Sequence, residues 1–282
     1  MTGIAEELQR AADILTDAGV EEPHREASSL MAFALGRDRA FIITHPDYHP
    51  TPEEQRIFDS ALERRARREP FQYIVGKKEF YGLEFAVSPD VLIPRPETEG
   101  IVERAISELR EIEHPRFCEI GIGSGCIAVS ILANLPRASA IGADISEKAL
   151  AIAALNARAN KVFSRLELTK SNVFSAISQE KFDAIVSNPP YVPVKGIEHL
   201  QAEVRDFEPH IALTDGGEGV GIIGRIVGQA PAYLKQNGVL LIEIGFDQAE
   251  RVLEMFDPEI WYGAEVIYDL QGIPRIILAR RR

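Results

Sequence analysis

The sequence predicts an α/β fold, a mostly parallel sheet covered by helices on both faces, with a small all-α helical bundle ahead of it. Three observations carry this expectation. Beyond Pro115, apolar strand-like runs alternate with segments of helical period, the pattern of a sheet built from crossover units. The first of those runs leads into a glycine-rich turn, Gly121-Ile122-Gly123-Ser124-Gly125, as a sharp strand-to-helix corner requires. Ahead of residue 70 the apolar positions recur at helical spacing. With 45% hydrophobic residues among 282, the chain can bury one large core and one small one. The expected division is a helical domain over 1–70, a β-hairpin linker over 71–95 and the α/β domain over 96–282.

The helical pattern runs from Thr2 to Glu69. Ile4, Leu8, Ala11 and Leu15 share one face of a first helix, and Gly19 is placed to stop it. A second helix follows Pro23, turns Ala27, Leu30, Met31 and Ala34 inward and ends at Gly36. Thr51, Pro52 and Glu54 then form a capping box: Thr51 caps the helix, Pro52 sits where no N–H is needed, and Glu54 reaches back. Ile57, Phe58, Ala61 and Leu62 supply the core face of that helix. Arg64, Arg65, Arg67 and Arg68 close it, where positive charge suits the dipole; they read as a solvated helix end, with contact to RNA or an acidic partner as the sharper alternative. Over 71–87, aromatic and β-branched residues with turn points at Gly76 and Gly82 predict a hairpin. Pro89, Pro94 and Pro96 stiffen the passage to a helix over 97–110 that buries Ile101, Ala105, Ile106 and Leu109. Strands are expected at 117–120, 138–143, 166–169, 182–187, 238–244, 264–269 and 274–278, and helices at 126–135, 147–160, 220–234 and 248–255.

Composition narrows the function. A formal net charge of −12 argues against gripping nucleic acid mainly through its phosphates, which needs a basic face. Two cysteines, Cys118 and Cys126, are too few for a disulfide framework or a Cys-rich zinc site. His45 and His49 are separated from any helix by Pro46 and Pro50, so they read as a surface loop and no metal is expected. No apolar run approaches the roughly 20 residues of a membrane span, and the start carries Glu6 and Glu7 where a secretory signal would be basic and then apolar. A cytoplasmic, soluble protein without membrane partners is expected, and a monomer is favoured.

Two motifs carry chemistry. Asn188-Pro189-Pro190-Tyr191 closes the apolar run of Phe182, Ala184, Ile185 and Val186 with a stiff polar turn. Such a turn fits a planar NH2 group: the Asn188 side-chain oxygen and the Pro189 carbonyl can accept its two N–H bonds, and the Tyr191 ring can stack on its face. An amide nitrogen is a poor nucleophile because its lone pair is delocalised, so fixing its orientation is worth much. The second motif is the glycine loop, with Asp144 ending the second strand, where it can accept hydrogen bonds from both hydroxyls of a ribose. A dinucleotide fingerprint wants glycine or alanine where this chain has Cys126, and Glu119 would repel a diphosphate but suits the ammonium of a methionine moiety. S-adenosylmethionine therefore fits better than NAD, and its methyl is the electrophile that a held NH2 group needs.

These residues resemble the HemK/PrmC family of protein-glutamine N5-methyltransferases, nearly end to end. The resemblance lies in Glu69, Pro70, Tyr73 and Gly76; in Glu79 to Gly82; in the run from Leu92 to Glu99; in the glycine loop and Val186 to Tyr191; in Glu208, Pro209, Ala212, Leu213, Asp215, Gly216 and Gly217; and in Asp269, Gly272, Pro274 and Arg275. It implies a class I methyltransferase domain, Rossmann-like with a seven-stranded, mostly parallel sheet, and a helical domain that helps hold a peptide chain release factor. It implies as substrate the glutamine of a Gly-Gly-Gln motif. By that likeness Gly121 to Gly125, Asp144, Asn172, Val173 and Asn188 contact the cofactor, while Asn188, Pro189, Pro190 and Tyr191 hold the glutamine amide, with Asn188, Pro189 and Tyr191 catalytic. Two positions depart: Glu119 and Asn172 stand where the family usually has Asp, which lengthens the reach of the first and removes the charge of the second. A modest change of cofactor affinity is expected.

Rival readings are weaker. A nucleic-acid adenine or guanine amino methyltransferase faces the same geometric problem but needs a basic surface and a base-flipping pocket. A non-catalytic module binding translation factors would have no use for the cofactor loop and the Asn-Pro-Pro-Tyr turn. No direct nucleic-acid requirement is expected.

Overall fold

A computed structural model describes residues 3–178 and 180–282. Thr2, the expected start of the helical pattern, lies outside the described residues. The chain forms two compact units: one runs to Gly76 and takes in Gln201–Phe207, and the other comprises Lys77–Leu200 and Glu208–Arg282. Among the described residues no helix is long and apolar enough to cross a membrane.

The first unit holds α1 (Ile4–Asp17), α2 (Pro23–Leu35), α3 (Arg39–Thr44), α4 (Pro52–Ala66) and α5 (Phe71–Val75). Ile4, Ala11 and Leu15 from α1, Leu30 and Met31 from α2, and Phe58 and Leu62 from α4 fill one core. Each of the larger of these side chains contributes roughly 1.5–3 kcal/mol by leaving water. The capping box at Thr51 is present, with Glu54 N–H donating to Thr51 Oγ1 at 3.3 Å and Thr51 N–H to Glu54 Oε2 at 2.7 Å. Two expectations change here. Residues 71–75 are the helix α5, not the start of the hairpin, because Pro70 opens the turn, Gly76 closes it at φ +76° and Ile74 drops into the helical core. The arginines are not a solvated helix end either. Arg65 is 5% exposed and bonds Glu26 and Glu203, Arg68 also bonds Glu203, and Arg64 bonds Glu69, while Arg67 alone of the four stays well exposed, paired with Glu63.

The second unit begins with the hairpin β1 (Lys77–Phe80) and β2 (Leu83–Ala86). Its turn residues Tyr81 and Gly82 both have positive φ, 51° and 71°, the hand that a two-residue hairpin turn needs. Then follow α6 (Glu99–Leu109), β3 (Arg116–Ile120), α7 (Cys126–Asn134), β4 (Ser139–Asp144), α8 (Glu147–Ala159), β5 (Leu166–Lys170) and β6 (Phe182–Ser187). After α9 (Ala202–Phe207), which belongs to the first unit, come α10 (His210–Leu213), α11 (Gly221–Gln229), β7 (Leu234–Glu243), α12 (Ala249–Leu253), β8 (Trp261–Tyr268) and β9 (Pro274–Arg281). The helix expected over 220–234 is shorter, because Pro231 removes an N–H and the chain tightens into a 3-10 turn over Ala230–Ala232 before entering β7.

The seven-stranded sheet has the order β5-β4-β3-β6-β7-β9-β8. Strands β3 to β7 are parallel, and β9 and β8 close the edge antiparallel. Alternate residues of β3 feed opposite layers. Phe117 packs with Ile101, Val129 and the hairpin's Phe80 and Phe85, while Cys118 and Ile120 pack with Ile223 and Phe174. The strand order reverses between β3 and β6, and there the loops diverge to opposite sides and leave a crevice at the carboxyl edge.

Candidate active site

Four strand ends meet at that crevice. In register, Ile120 of β3 lies beside Ala143 of β4 and Ser187 of β6, and Asp144 lies beside Lys170 of β5. Each of these strands therefore delivers its loop at the same level. Ser187 Oγ donates to Ile120 O at 2.7 Å and ties the two central ends together. A cavity of about 320 Å³ opens over them.

The glycine loop turns at once. Gly121 and Ile122 both donate N–H to Ala143 O, at 2.8 and 3.0 Å, and Gly121, Gly123 and Gly125 all have positive φ. Such backbone favours glycine over residues with a Cβ. Gly121, Ile122, Gly123 and Ser124 line the cavity. Gly125 does not: it is buried, and a Cβ there would meet the Cβ of Ala153 at 3.3 Å, so its smallness serves the packing of α7 against α8.

Asp144 lines the same wall. Its Oδ2 accepts from Gly123 N–H and its Oδ1 from Ser146 N–H, each at 2.9 Å. These bonds fix the carboxylate and leave lone pairs on both oxygens. Burial raises its pKa against the pull of the N–H groups of Ser146, Gly123 and Ile145. Glu119 is 1% exposed, and its Oε2 accepts from Ala128 N–H at 2.8 Å in the first turn of α7. Burial pushes its pKa well up, against that bond and with the Asp144 charge adding to the rise. The extra methylene of Glu over Asp is thus spent on reaching the helix. Asn172 and Val173 stand on the far wall, and Val173 has φ +57°, a strained geometry for a β-branched residue. Ser171 holds it there, donating from Oγ to Val173 O at 2.8 Å and accepting from Ala176 N–H at 3.0 Å.

Asn188 and Pro190 complete the wall. Asn188 Nδ2 donates to Thr98 Oγ1 at 3.1 Å, so its Oδ1 is the atom left to accept. A Cβ on Gly121 would stand 3.9 Å from Asn188 O, which puts the glycine loop and the Asn-Pro-Pro-Tyr turn in contact range. Pro189 is buried and Tyr191 half-buried, and neither is on the cavity wall. Tyr191 OH donates to Glu243 Oε1 at 3.3 Å, and Tyr191 O accepts from Gln248 Nε2 at 2.9 Å. Burial and the Glu243 charge raise the phenol's pKa, so it stays a neutral donor.

The wall fits S-adenosylmethionine. It offers a carboxylate with open lone pairs for a ribose and an open glycine loop where a Cβ on Gly123 would meet nothing within 4 Å, and of its two arginines Arg95 is already paired with Glu208.

Comparison with known proteins agrees. Residues 6–76 match the PrmC N-terminal domain and residues 105–207 the methyltransferase small domain. The release factor glutamine methyltransferase of Koribacter versatilis is 42% identical over 95% of this chain and 94% of its own. That of Cereibacter sphaeroides is 42% identical over 98% of both chains. This chain belongs to the release factor glutamine methyltransferase family. Among solved structures, the hMettl16 catalytic domain superimposes with a TM-score of 0.58 at 17% identity, over 71% of this chain and 76% of that one. The T. thermophilus 16S rRNA N2 G1207 methyltransferase, solved with AdoMet and guanosine, superimposes with 0.54 at 17% identity, over 73% of this chain and 50% of that one. These two likenesses show the methyltransferase fold.

For a member of this family, sequence reasoning left several wall residues without a role. Arg95, whose Nη2 donates to the buried Glu208 at 2.6 Å, Thr98, Asp215 and Arg225 all line the cavity. The signal for the first three was the signature runs at 92–99 and 208–217, which show no long apolar period because they hold only short turns and the one-turn helix α10.

Proposed function

We propose that this chain transfers the methyl group of S-adenosylmethionine to the side-chain amide nitrogen of a release-factor glutamine, the one in the Gly-Gly-Gln motif. The observation that carries this is the Asn188 amide, which lines a cavity it shares with the glycine loop and Asp144 and is pinned through Nδ2, leaving Oδ1 as its acceptor. Bound there, S-adenosylmethionine supplies an electrophilic methyl carbon. Asp144 holds the ribose, Asn172 and Val173 the adenine end, and the Gly121–Gly123 backbone admits the chain between them. Asn188 Oδ1 and the Pro189 carbonyl take the two N–H bonds of the glutamine amide, and Pro190 keeps that turn stiff. Tyr191 braces it from behind through Glu243 and Gln248. As the nitrogen lone pair forms the N–C bond, the methyl–sulfur bond would break with its electron pair left on a neutral thioether; these oxygens stabilise the positive charge growing on nitrogen, and one N–H proton then leaves to water. The helical domain is read as helping to hold the factor, which the match to the PrmC N-terminal domain supports. The reaction invokes no nucleic acid and no second copy of the chain, and its substrate belongs to the cytoplasm.

The test incubates the chain with methyl-labelled cofactor and a release factor, its Gln→Ala variant, or duplex DNA. Label is expected in the intact factor alone; label in DNA, or equal label in the Gln→Ala protein, overturns the reading. Asn188→Ala should lower transfer by about 10²-fold or more while calorimetry finds cofactor affinity little changed.

A further inference from the structure

A polar chain runs from the cavity wall, where Asn188 and Thr98 stand, to Glu243 buried behind the Asn-Pro-Pro-Tyr turn. Glu243 ends β7, next to β6 and its Asn188, and Thr98 closes the 3-10 turn Pro96–Thr98 ahead of α6. Glu243 and Thr98 are each 2% exposed. Asn188 Nδ2 donates to Thr98 Oγ1 at 3.1 Å, and the Thr98 hydroxyl lies beside the Glu243 carboxyl and favours its charged form. Tyr191 OH donates to Glu243 Oε1 at 3.3 Å. Glu243 Oε2 is buried without a hydrogen-bond partner, which makes it the acceptor open to the Thr98 proton.

A hydroxyl has one proton, and that decides the polarity of the chain. We propose that Glu243, acting through Thr98, is a positioning residue that keeps the oxygen of the Asn188 amide turned to the substrate. An ionised Glu243 only accepts, so Thr98 gives its proton to Glu243 and offers Asn188 a lone pair. Asn188 must then present Nδ2 to Thr98 and Oδ1 to the cavity. With a proton on Glu243 the chain can run backwards. Thr98 then donates to Asn188 Oδ1, and Nδ2 faces the substrate amide, donor against donor. Glu243 is set to feel this choice near neutrality: burial lifts it to about 7, the hydroxyls of Thr98 and Tyr191 and the charge of Arg275 on β9 pull it down, and Glu97 pushes it up. Cys126, in α7, also senses its charge.

This inference rests on the amide methylation proposed above, and its test separates the two. Transfer to the release factor is measured for the full chain and for Thr98→Val, Thr98→Ser and Glu243→Gln. Thr98→Val is expected to lower kcat about 10²-fold with cofactor affinity held, as loss of an oriented acceptor should. Thr98→Ser restores the hydroxyl and the rate. The native rate falls as pH drops below about 7, and Glu243→Gln loses that acid limb. The second readout needs no cofactor or factor: the Asn188 side-chain NH2 resonance, identified by its disappearance in Asn188→Ala, should titrate in the native chain and stay fixed in Glu243→Gln. Undiminished kcat in Thr98→Val, or an Asn188 resonance that titrates alike with and without Glu243, overturns the proposal. Where Thr98→Val does not fold, Thr98→Ser and the resonance decide. If the native chain labels no factor, the functional reading fails and the resonance alone judges this one.

Discussion

A single glycine shapes the back of the Asn-Pro-Pro-Tyr turn. Gly219 has φ +76°, and a Cβ built on it would lie 2.1 Å from the backbone oxygen of Tyr191, which has no freedom to withdraw because Gln248 Nε2 bonds the same atom. Asp215 organises this contact. Its Oδ1 accepts from Gly217 and Gly219 N–H at 2.8 and 3.0 Å and its Oδ2 from Gly221 N–H at 2.7 Å. Burial would raise the Asp215 pKa, but those N–H groups prevail and hold it below the usual range. Gly216 gives the comparison, since its φ is +78° with nothing within 4 Å of an added Cβ. Gly216→Ala should cost about 1 kcal/mol, the strain of left-handed backbone alone. Gly219→Ala should cost about 3 kcal/mol or more and remove methyl transfer, because the turn itself must move. Urea unfolding and the labelling assay on both variants check the contrast.

Among the elements, α8 does more than cover the sheet. Its Asn156, 1% exposed, accepts from Ala86 N–H at 2.7 Å and donates to Ala86 O at 3.0 Å and to Ser124 O at 2.8 Å. One side chain thus joins the end of hairpin strand β2 to the glycine loop. Sequence periodicity places Asn156 on a helix and says nothing of these partners, which lie 70 and 32 residues away. Asn156→Ala leaves one buried and two part-buried backbone groups short of a partner and should destabilise by about 2–4 kcal/mol. Cofactor affinity should fall with it, since Ser124 lies on the cavity wall. Fluorescence of the single tryptophan, Trp261 of β8, follows unfolding of this unit, and calorimetry follows affinity. The hairpin also shows where element-scale reading fails. Residues 71–75 have strand-like composition, yet a proline before, a glycine after and a core waiting for Ile74 make them helical.

For the whole molecule, the buried carboxyls shape how stability depends on pH. Glu243 is held at about 7, above its ordinary value of 4.5, chiefly by burial. A raised carboxyl contributes fully below its unfolded value and loses that contribution as pH rises through its folded one. Glu243→Gln should therefore lose less stability than the native chain on going from about pH 5 to about pH 8, by about 2–3 kcal/mol. Trp261-monitored urea unfolding at the two pH values measures it, and equal losses would speak against a buried, raised Glu243. The sequence by itself determined the alternation of strands and helices, the glycine corner, Asp144 and the Asn-Pro-Pro-Tyr turn, because each is written in local periodicity, turn chemistry and residue type. Only the tertiary structure decided that Arg65 is an interior ion-pair residue, that Glu119 spends an oxygen on α7, that Gly125 serves packing, and that Thr98 and Glu243 stand behind Asn188. Those outcomes depend on which distant groups share a buried space, where every polar atom must find a partner, and no local pattern specifies the neighbour.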